Sequence, residues 1–327
     1  MRHRLGTAQA DDVEVFVDHD ERFYVGIGAT RSREWLIVHA GSKQSAEVWL
    51  LRAGDPEGTP VCVRPREPEV EYSVDHWGDE LVIVTNLDAV DFRVMTAPVD
   101  RSSEWTELLP HQPGRRITTA EPFAGFLALH EWDCAQPQIR VITRRADGGL
   151  DQHVLSIDDE PHDVEFGANE QWDTSVLRLT HQSLTTPVRV VDVDVATGAV
   201  TVVKQTPTPN VDLSQYVAER RWATAPDGTQ VPVDIARHVD TPLDGTAPCC
   251  LYGYGSYEIS IDPSFSVARV SLLERGVVFA IAHIRGGGEL GKPWHDDGRM
   301  QKKMNTFTDF IACAEHLLRS GYGSQER

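Results

Sequence analysis

Several things are scarce in this chain of 327 residues, and each absence narrows what it can do. No window reads G-x-S-x-G, the sharp strand-to-helix turn whose small flanking residues expose a serine nucleophile. The nearest approach, Gly255-Ser256-Tyr257-Glu258, lacks glycines at the required offsets. Cysteines number five, an odd count without C-x-x-C spacing, which argues against a disulfide framework and against a zinc site. Adjacent Cys249 and Cys250 read as small buried hydrophobes at a strand start. Positive charge is in deficit: 31 Lys and Arg stand against 50 Asp and Glu, a net charge of −19. That balance argues against nucleic acid or an anionic membrane as partner and favours cationic ligands, although spread acidity also makes an ordinary solvated surface. The longest apolar run, Gly276 to Ile284, is far short of a membrane span, and the N-terminus has no signal-like apolar core. The default location is the cytoplasm, and no cofactor or metal is read.

What is present first is a repeat. Glu47–Leu51, Phe92–Thr96, Ile139–Thr143 and Val188–Asp192 share a phase at intervals of about 44 to 49 residues, the length of a four-stranded β-propeller blade. Each follows a more apolar strand: Trp35–His39, Leu81–Thr85, Phe126–His130 and Val176–Thr180. No Gly-His to Trp-Asp pairing recurs, so these are not WD40 blades, and a two-sheet sandwich would not keep so long a period. Arg2–Val17 aligns with the later half of a blade, so the chain is expected to open in mid-blade, with four to five blades in an incomplete propeller over residues 1–205.

Gln205–Asn210, rich in Pro and Thr, marks the boundary to a second domain over residues 206–327. Arg221–Ala225 and Gln230–Ala236 flank Pro226-Asp227-Gly228, a hairpin signal. Pro248–Tyr252 and Val277–Ile284 read as strands of a parallel sheet. Between them, Asp262 and Pro263 open a helix that stops at Gly276. Thr306 and Asp309 open another before Gly321.

LYGYGSYEISIDPSFS, at 251–266, and RGVVFAIAHIRGGGELGKPWHDDGRMQKKMNTFTDF, at 275–310, closely resemble the oligopeptidase B branch of the prolyl oligopeptidase family of serine peptidases. The resemblance covers the whole chain in architecture and about 220–327 in motif, and implies a propeller followed by the N-terminal part of an α/β-hydrolase domain. It implies that Tyr254, the second tyrosine of the YGYG element, donates its hydroxyl to an oxyanion hole, a role suited to a neutral O–H beside glycines. It further implies cleavage of short basic peptides after Arg or Lys. Asp262 matches the first acid of an IDxDF element that holds the next basic residue of the substrate, while the second acid is replaced by Ser264. Helix capping is the competing role for Asp262. The serine, aspartate and histidine of the triad fall past Arg327, so the chain is expected to be an inactive segment, with a complementary C-terminal fragment as a candidate partner. The competing reading is a non-catalytic propeller interaction module or a pseudogene product.

Gly286, Gly288 and Gly291 formally satisfy G-x-G-x-x-G after a strand. A dinucleotide site needs that motif to open a helix, whereas Pro293 and Trp294–Gly298 read as loop. The run Arg285, Gly286, Gly287, Gly288 and Glu289 is therefore expected to be a tight structural loop near the cleft, with Arg285 and Glu289 in structural or interdomain ion pairs. His295, Asp296 and Asp297 look like metal ligands only by adjacency.

Overall fold

The computed structural model describes residues 1–156, 161–324 and 326. Each repeat is a four-stranded antiparallel sheet with its strands in chain order. Blade 1 holds β1 (Tyr24–Ala29), β2 (Trp35–Gly41), β3 (Ala46–Arg52) and β4 (Val61–Arg64). Blade 2 holds β5 (Tyr72–Trp77), β6 (Glu80–Thr85), β7 (Arg93–Pro98) and β8 (Thr106–Leu109). Blade 3 holds β9 (Arg115–Pro122), β10 (Leu127–Asp133), β11 (Gln136–Arg144) and β12 (Leu150–Val154). Blade 4 holds β13 (His162–Phe166), β14 (Val176–Ser183), β15 (Arg189–Asp194) and β16 (Val200–Gln205).

Side chains alternate across a strand, and here both faces of a blade meet a neighbour. On β6, Leu81 and Ile83 pack with Val48 and Leu50 of blade 1, while Val82 and Val84 pack with Ile117, Leu127 and Leu129 of blade 3. A strand covered on both faces has no polar side, which is why LVIV reads as a continuous apolar run. Ahead of blade 1, Arg2 and Val13 pair across a short 3₁₀ turn at Gln9–Asp11; no further blade strand occurs there among the described residues.

The second domain is a sheet of order β17 (Tyr216–Thr224), β18 (Gln230–His238), β20 (Val278–Ala282) and β19 (Cys249–Tyr252). Pro226-Asp227-Gly228 turns β17 into β18, with Gly228 at φ +88°. The sheet is mixed rather than parallel. Only β19 and β20 run parallel, because they are the one pair joined by a helical crossover, whereas a hairpin reverses its strand. That crossover helix, α1 (Val267–Leu273), starts later than its sequence suggests: Ser266 caps it by accepting from the Arg269 N–H, and Asp262 lies outside it. Two more helices follow, α2 (Lys292–Asp296) and α3 (Met304–Arg319). α2 replaces the loop expected there, its proline fitting the first turn, where no N–H partner is needed. Thr306 and Asp309 lie inside α3 and serve other partners.

Cys249 is partly buried and packs against the second-domain core, whereas Cys250 is exposed because β19 is the last strand of its sheet; all five cysteines are unpaired. No helix among the described residues is long and apolar enough to cross a membrane. Between the domains, Leu184 of blade 4 packs with Tyr216, Ala236, Val270, Leu273 and Ile281.

Candidate active-site region

Tyr254 follows the end of β19 in a loop that begins on closely packed glycine backbone. Gly255 adopts φ +60°, and a Cβ there would stand 2.6 Å from Ile284 and 2.7 Å from Thr306, so no other residue fits. The Gly255 carbonyl accepts from Lys303 Nζ at 2.6 Å, and the Ser256 hydroxyl lies 3.2 Å from the same nitrogen. The tyrosine side chain is 41 % exposed on this fixed base. A phenol held at a strand end and open to solvent is placed to donate to an incoming group.

Arg285 is buried and ties β20 to α3. Its Nε and NH2 groups donate to the two oxygens of Asp309 at 2.8 and 2.6 Å, and NH1 donates to Asp227 at 2.6 Å. Hydrogen bonds to Asp309, more than offsetting burial, raise its pKa further above the ordinary guanidinium range. The Thr306 hydroxyl donates to the Arg285 carbonyl at 2.7 Å. The glycines that follow permit backbone contact: a Cβ on Gly286 would lie 2.1 Å from the Gly255 carbonyl, on Gly287 2.2 Å from Glu289 Oε2, and on Gly288 2.7 Å from the Glu258 carbonyl. The place a phosphate would take at the start of α2 is filled by protein, since the Lys292 N–H donates to Asp91 of blade 2 at 2.7 Å. His295 donates to the Gly286 carbonyl, while Asp296 pairs with Arg299 and Asp297 with Lys302, so the three diverge. No group of three or more metal-ligating side chains converges among the described residues.

Arg285 and Glu289 do not join the domains. Glu289 is 2 % exposed; its Oε1 accepts from the Ile261 N–H at 3.0 Å and lies 3.4 Å from His283 Nδ1, and Oε2 has no partner among the described residues. His283 Nε2 meets Asp234 at 2.7 Å, and Asp234 is gripped by Arg220 at 2.6 and 2.8 Å. Burial opposes a charged imidazole, but Asp234 and Glu289 outweigh it and raise the His283 pKa to about 9. Arg220 also donates to the Ala135 carbonyl of blade 3 at 2.6 Å, so this buried relay runs from the propeller to the segment carrying Asp262.

Asp262 is exposed and no helix end relies on it. The protein packed around its carboxyl still desolvates it and pushes it up to about 7, helped by the nearby carboxylates of Asp163, Glu165 and Glu289 and opposed by His283. Asp163 and Glu165 come from β13, so the cluster spans both domains. Asp163 Oδ2 accepts from Gln182 at 2.9 Å, and Gln182 in turn accepts from the Phe265 N–H at 3.1 Å; Asp163 Oδ1 is buried with no partner among the described residues. Four acidic side chains face His283, with His130 3.6 Å from Glu165, and two of the acids' oxygens have no partner among the described residues, an environment that favours a positively charged group.

A profile for the prolyl oligopeptidase N-terminal β-propeller domain matches residues 1–206, and one for the prolyl oligopeptidase family matches residues 263–327. The chain belongs to the prolyl oligopeptidase family of peptidases. Within it, the chain is 41 % identical to dipeptidyl aminopeptidase BI of Pseudoxanthomonas mexicana, over 99 % of this chain and 45 % of that protein. It is 34 % identical to protease 2 of Moraxella lacunata, over 99 % of this chain and 46 % of the relative. In structure it is similar to oligopeptidase B from Trypanosoma brucei with covalently bound antipain in the closed form: the TM-score is 0.90 at 35 % identity, covering 98 % of this chain and 47 % of that one. The chain thus spans about half the length of the relatives it matches.

Proposed function

We propose that this chain supplies the propeller blades and the oxyanion and cation-binding half of the cleft of an oligopeptidase B-like serine endopeptidase that cleaves short peptides after Arg or Lys. The observation that carries the reading is the Asp262 cluster: a carboxyl raised to about 7 beside three further carboxylates, drawn from both domains. A guanidinium or ammonium from a peptide would relieve that repulsion and draw the proton off Asp262. Tyr254 would donate to the oxyanion of the tetrahedral intermediate, a contact that strengthens as charge develops. The residues 1–327 contain no G-x-S-x-G, so on their own they are expected to be inactive toward Arg or Lys amides and esters. Five unpaired cysteines suit a reducing compartment such as the cytoplasm.

The name of the Pseudoxanthomonas relative favours a second use of the same carboxylates, capture of a peptide's free amino terminus. Calorimetry with Arg-Arg, N-acetyl-Arg-Arg and Arg-Ala peptides near pH 6.5, in buffers of different ionisation enthalpy, separates the two. The endopeptidase reading expects proton release with Arg-Arg whether or not the terminus is acetylated, abolished by Asp262→Asn; the amino-terminus reading expects acetylation to abolish it. Binding without proton release would sink both. Hydrolysis by residues 1–327 that a serine-directed fluorophosphonate blocks would overturn the expectation of inactivity.

A further inference from the structure

Glu258 lies in the Tyr254 loop with left-handed backbone at φ 62°, directly after Tyr257 at φ 57°. Consecutive non-glycine residues in that region carry strain and persist only where their surroundings hold them. The hold is electrostatic and comes from two domains. Glu258 Oε2 accepts from Lys292 Nζ at 2.7 Å, and Oε1 forms an ion pair with Arg116 NH2 of β9 at 2.6 Å. All three side chains are less than a fifth exposed, so solvent screens them weakly. The backbone N–H of Glu258 donates to the Gly286 carbonyl at 3.0 Å, fastening the loop to the glycine run.

The partners are themselves fixed. Arg116 lies over the Phe92 ring, 4.8 Å from its centroid. Lys292 is pinned through its own N–H to Asp91, a fully buried carboxylate of blade 2 that also accepts from the Gly114 N–H at 2.7 Å. Glu71 of blade 2 also lies within electrostatic reach of Lys292, Arg116 and Glu258. Two cations and three carboxylates, drawn from two blades and the second domain, converge on one strained loop.

We propose that Glu258 is a positioning residue for Tyr254: through Arg116 it couples the conformation of loop 253–258 to contact with the propeller, so that the tyrosine hydroxyl takes its place only when the two domains are together. The catalytic meaning of that placement rests on the oxyanion role proposed above, while the coupling itself does not. The test uses residues 1–327 labelled with 3-fluorotyrosine, the Tyr254 resonance being assigned by its loss in Tyr254→Phe, together with amide hydrogen exchange. Arg116→Met should shift or broaden the Tyr254 resonance and speed exchange across 253–260 by about tenfold, leaving 278–282 unchanged. Arg116→Lys, which keeps the charge, should restore both signals at least in part. An unchanged resonance and unchanged exchange in Arg116→Met would overturn the proposal. So would faster exchange spread equally over 278–282, the mark of general loosening. Should Arg116→Met fail to fold, Glu258→Gln, which keeps the shape and the Lys292 contact but removes the charge, must give the same local change or the proposal falls. Neither readout involves catalysis, so a failed oxyanion assignment for Tyr254 and a failed coupling are told apart.

Discussion

Blades adhere to one another differently from the way the propeller adheres to the second domain. Between blades 2 and 3 the contact is made by Val82, Val84, Ile117, Leu127, Leu129 and Ile142, all essentially buried. Between the domains it is made largely by polar groups: Arg220 to the Ala135 carbonyl, Lys292 to Asp91, Arg116 to Glu258 and Gln182 to Phe265, with Leu184 the main apolar contributor. Apolar contact tolerates small shifts and offers nothing to water in exchange, so the blades form one body. Directional polar contacts have water as a ready substitute, which makes a boundary of this kind the place where parts separate.

The largest test of that contrast is Asp234→Ala. It removes the partner shared by His283 and Arg220, leaving His283 only the longer Glu289 contact, and should cost about 3–5 kcal/mol in chemical denaturation. His283 has a folded pKa raised above its unfolded value, so its contribution is full below pH 6.5 and fades as pH rises through about 9. The variant should lose that alkaline dependence. A cost below about 1 kcal/mol would mean that the relay is not holding the boundary. Leu129→Ala opens a cavity between blades 2 and 3 and should cost about 2–5 kcal/mol with little pH dependence over the same range. Equal pH profiles for the two variants would erase the distinction between apolar and polar contacts.

Asp262→Asn should act with the opposite sign. A carboxyl whose folded pKa is raised from 3.8 to about 7 destabilises the fold as it ionises across that interval. The variant should match the parent near pH 3.5 and exceed it by about 1 kcal/mol or more at pH 8. Lower stability at every pH would return Asp262 to a structural role. The smallest effect belongs to Val202→Thr on β16, where every residue is exposed; a change within about 0.5 kcal/mol is expected from thermal melts.

The blades were legible because doubly covered strands leave continuous apolar runs at a long period, and the family motifs singled out Tyr254 and the glycine loop as candidates. Other parts were hidden for physical reasons. Asp163 and Glu165 sit among fifty acidic residues with no marker of their own, and meet Asp262 only when blade 4 packs against the loop before α1. Glu258 reads as an ordinary surface charge until its backbone angle and its two cations are known. Asp262-Pro263 is as good a helix start as Ser266 on local chemistry, but the Ser264 N–H turns back onto the Asp262 carbonyl and the helix begins later.

Gly291 ends the glycine run at φ +86°, and a Cβ built on it would stand 2.2 Å from Asp91 Oδ1. The two positions are separated by some two hundred residues of chain yet share one small space. A side chain at 291 would be strained by that backbone angle whatever stood opposite, and would also strike the Asp91 carboxylate. A substitution at 291 would therefore be felt in a propeller loop as well as at the start of α2, whose Lys292 N–H donates to the same Asp91.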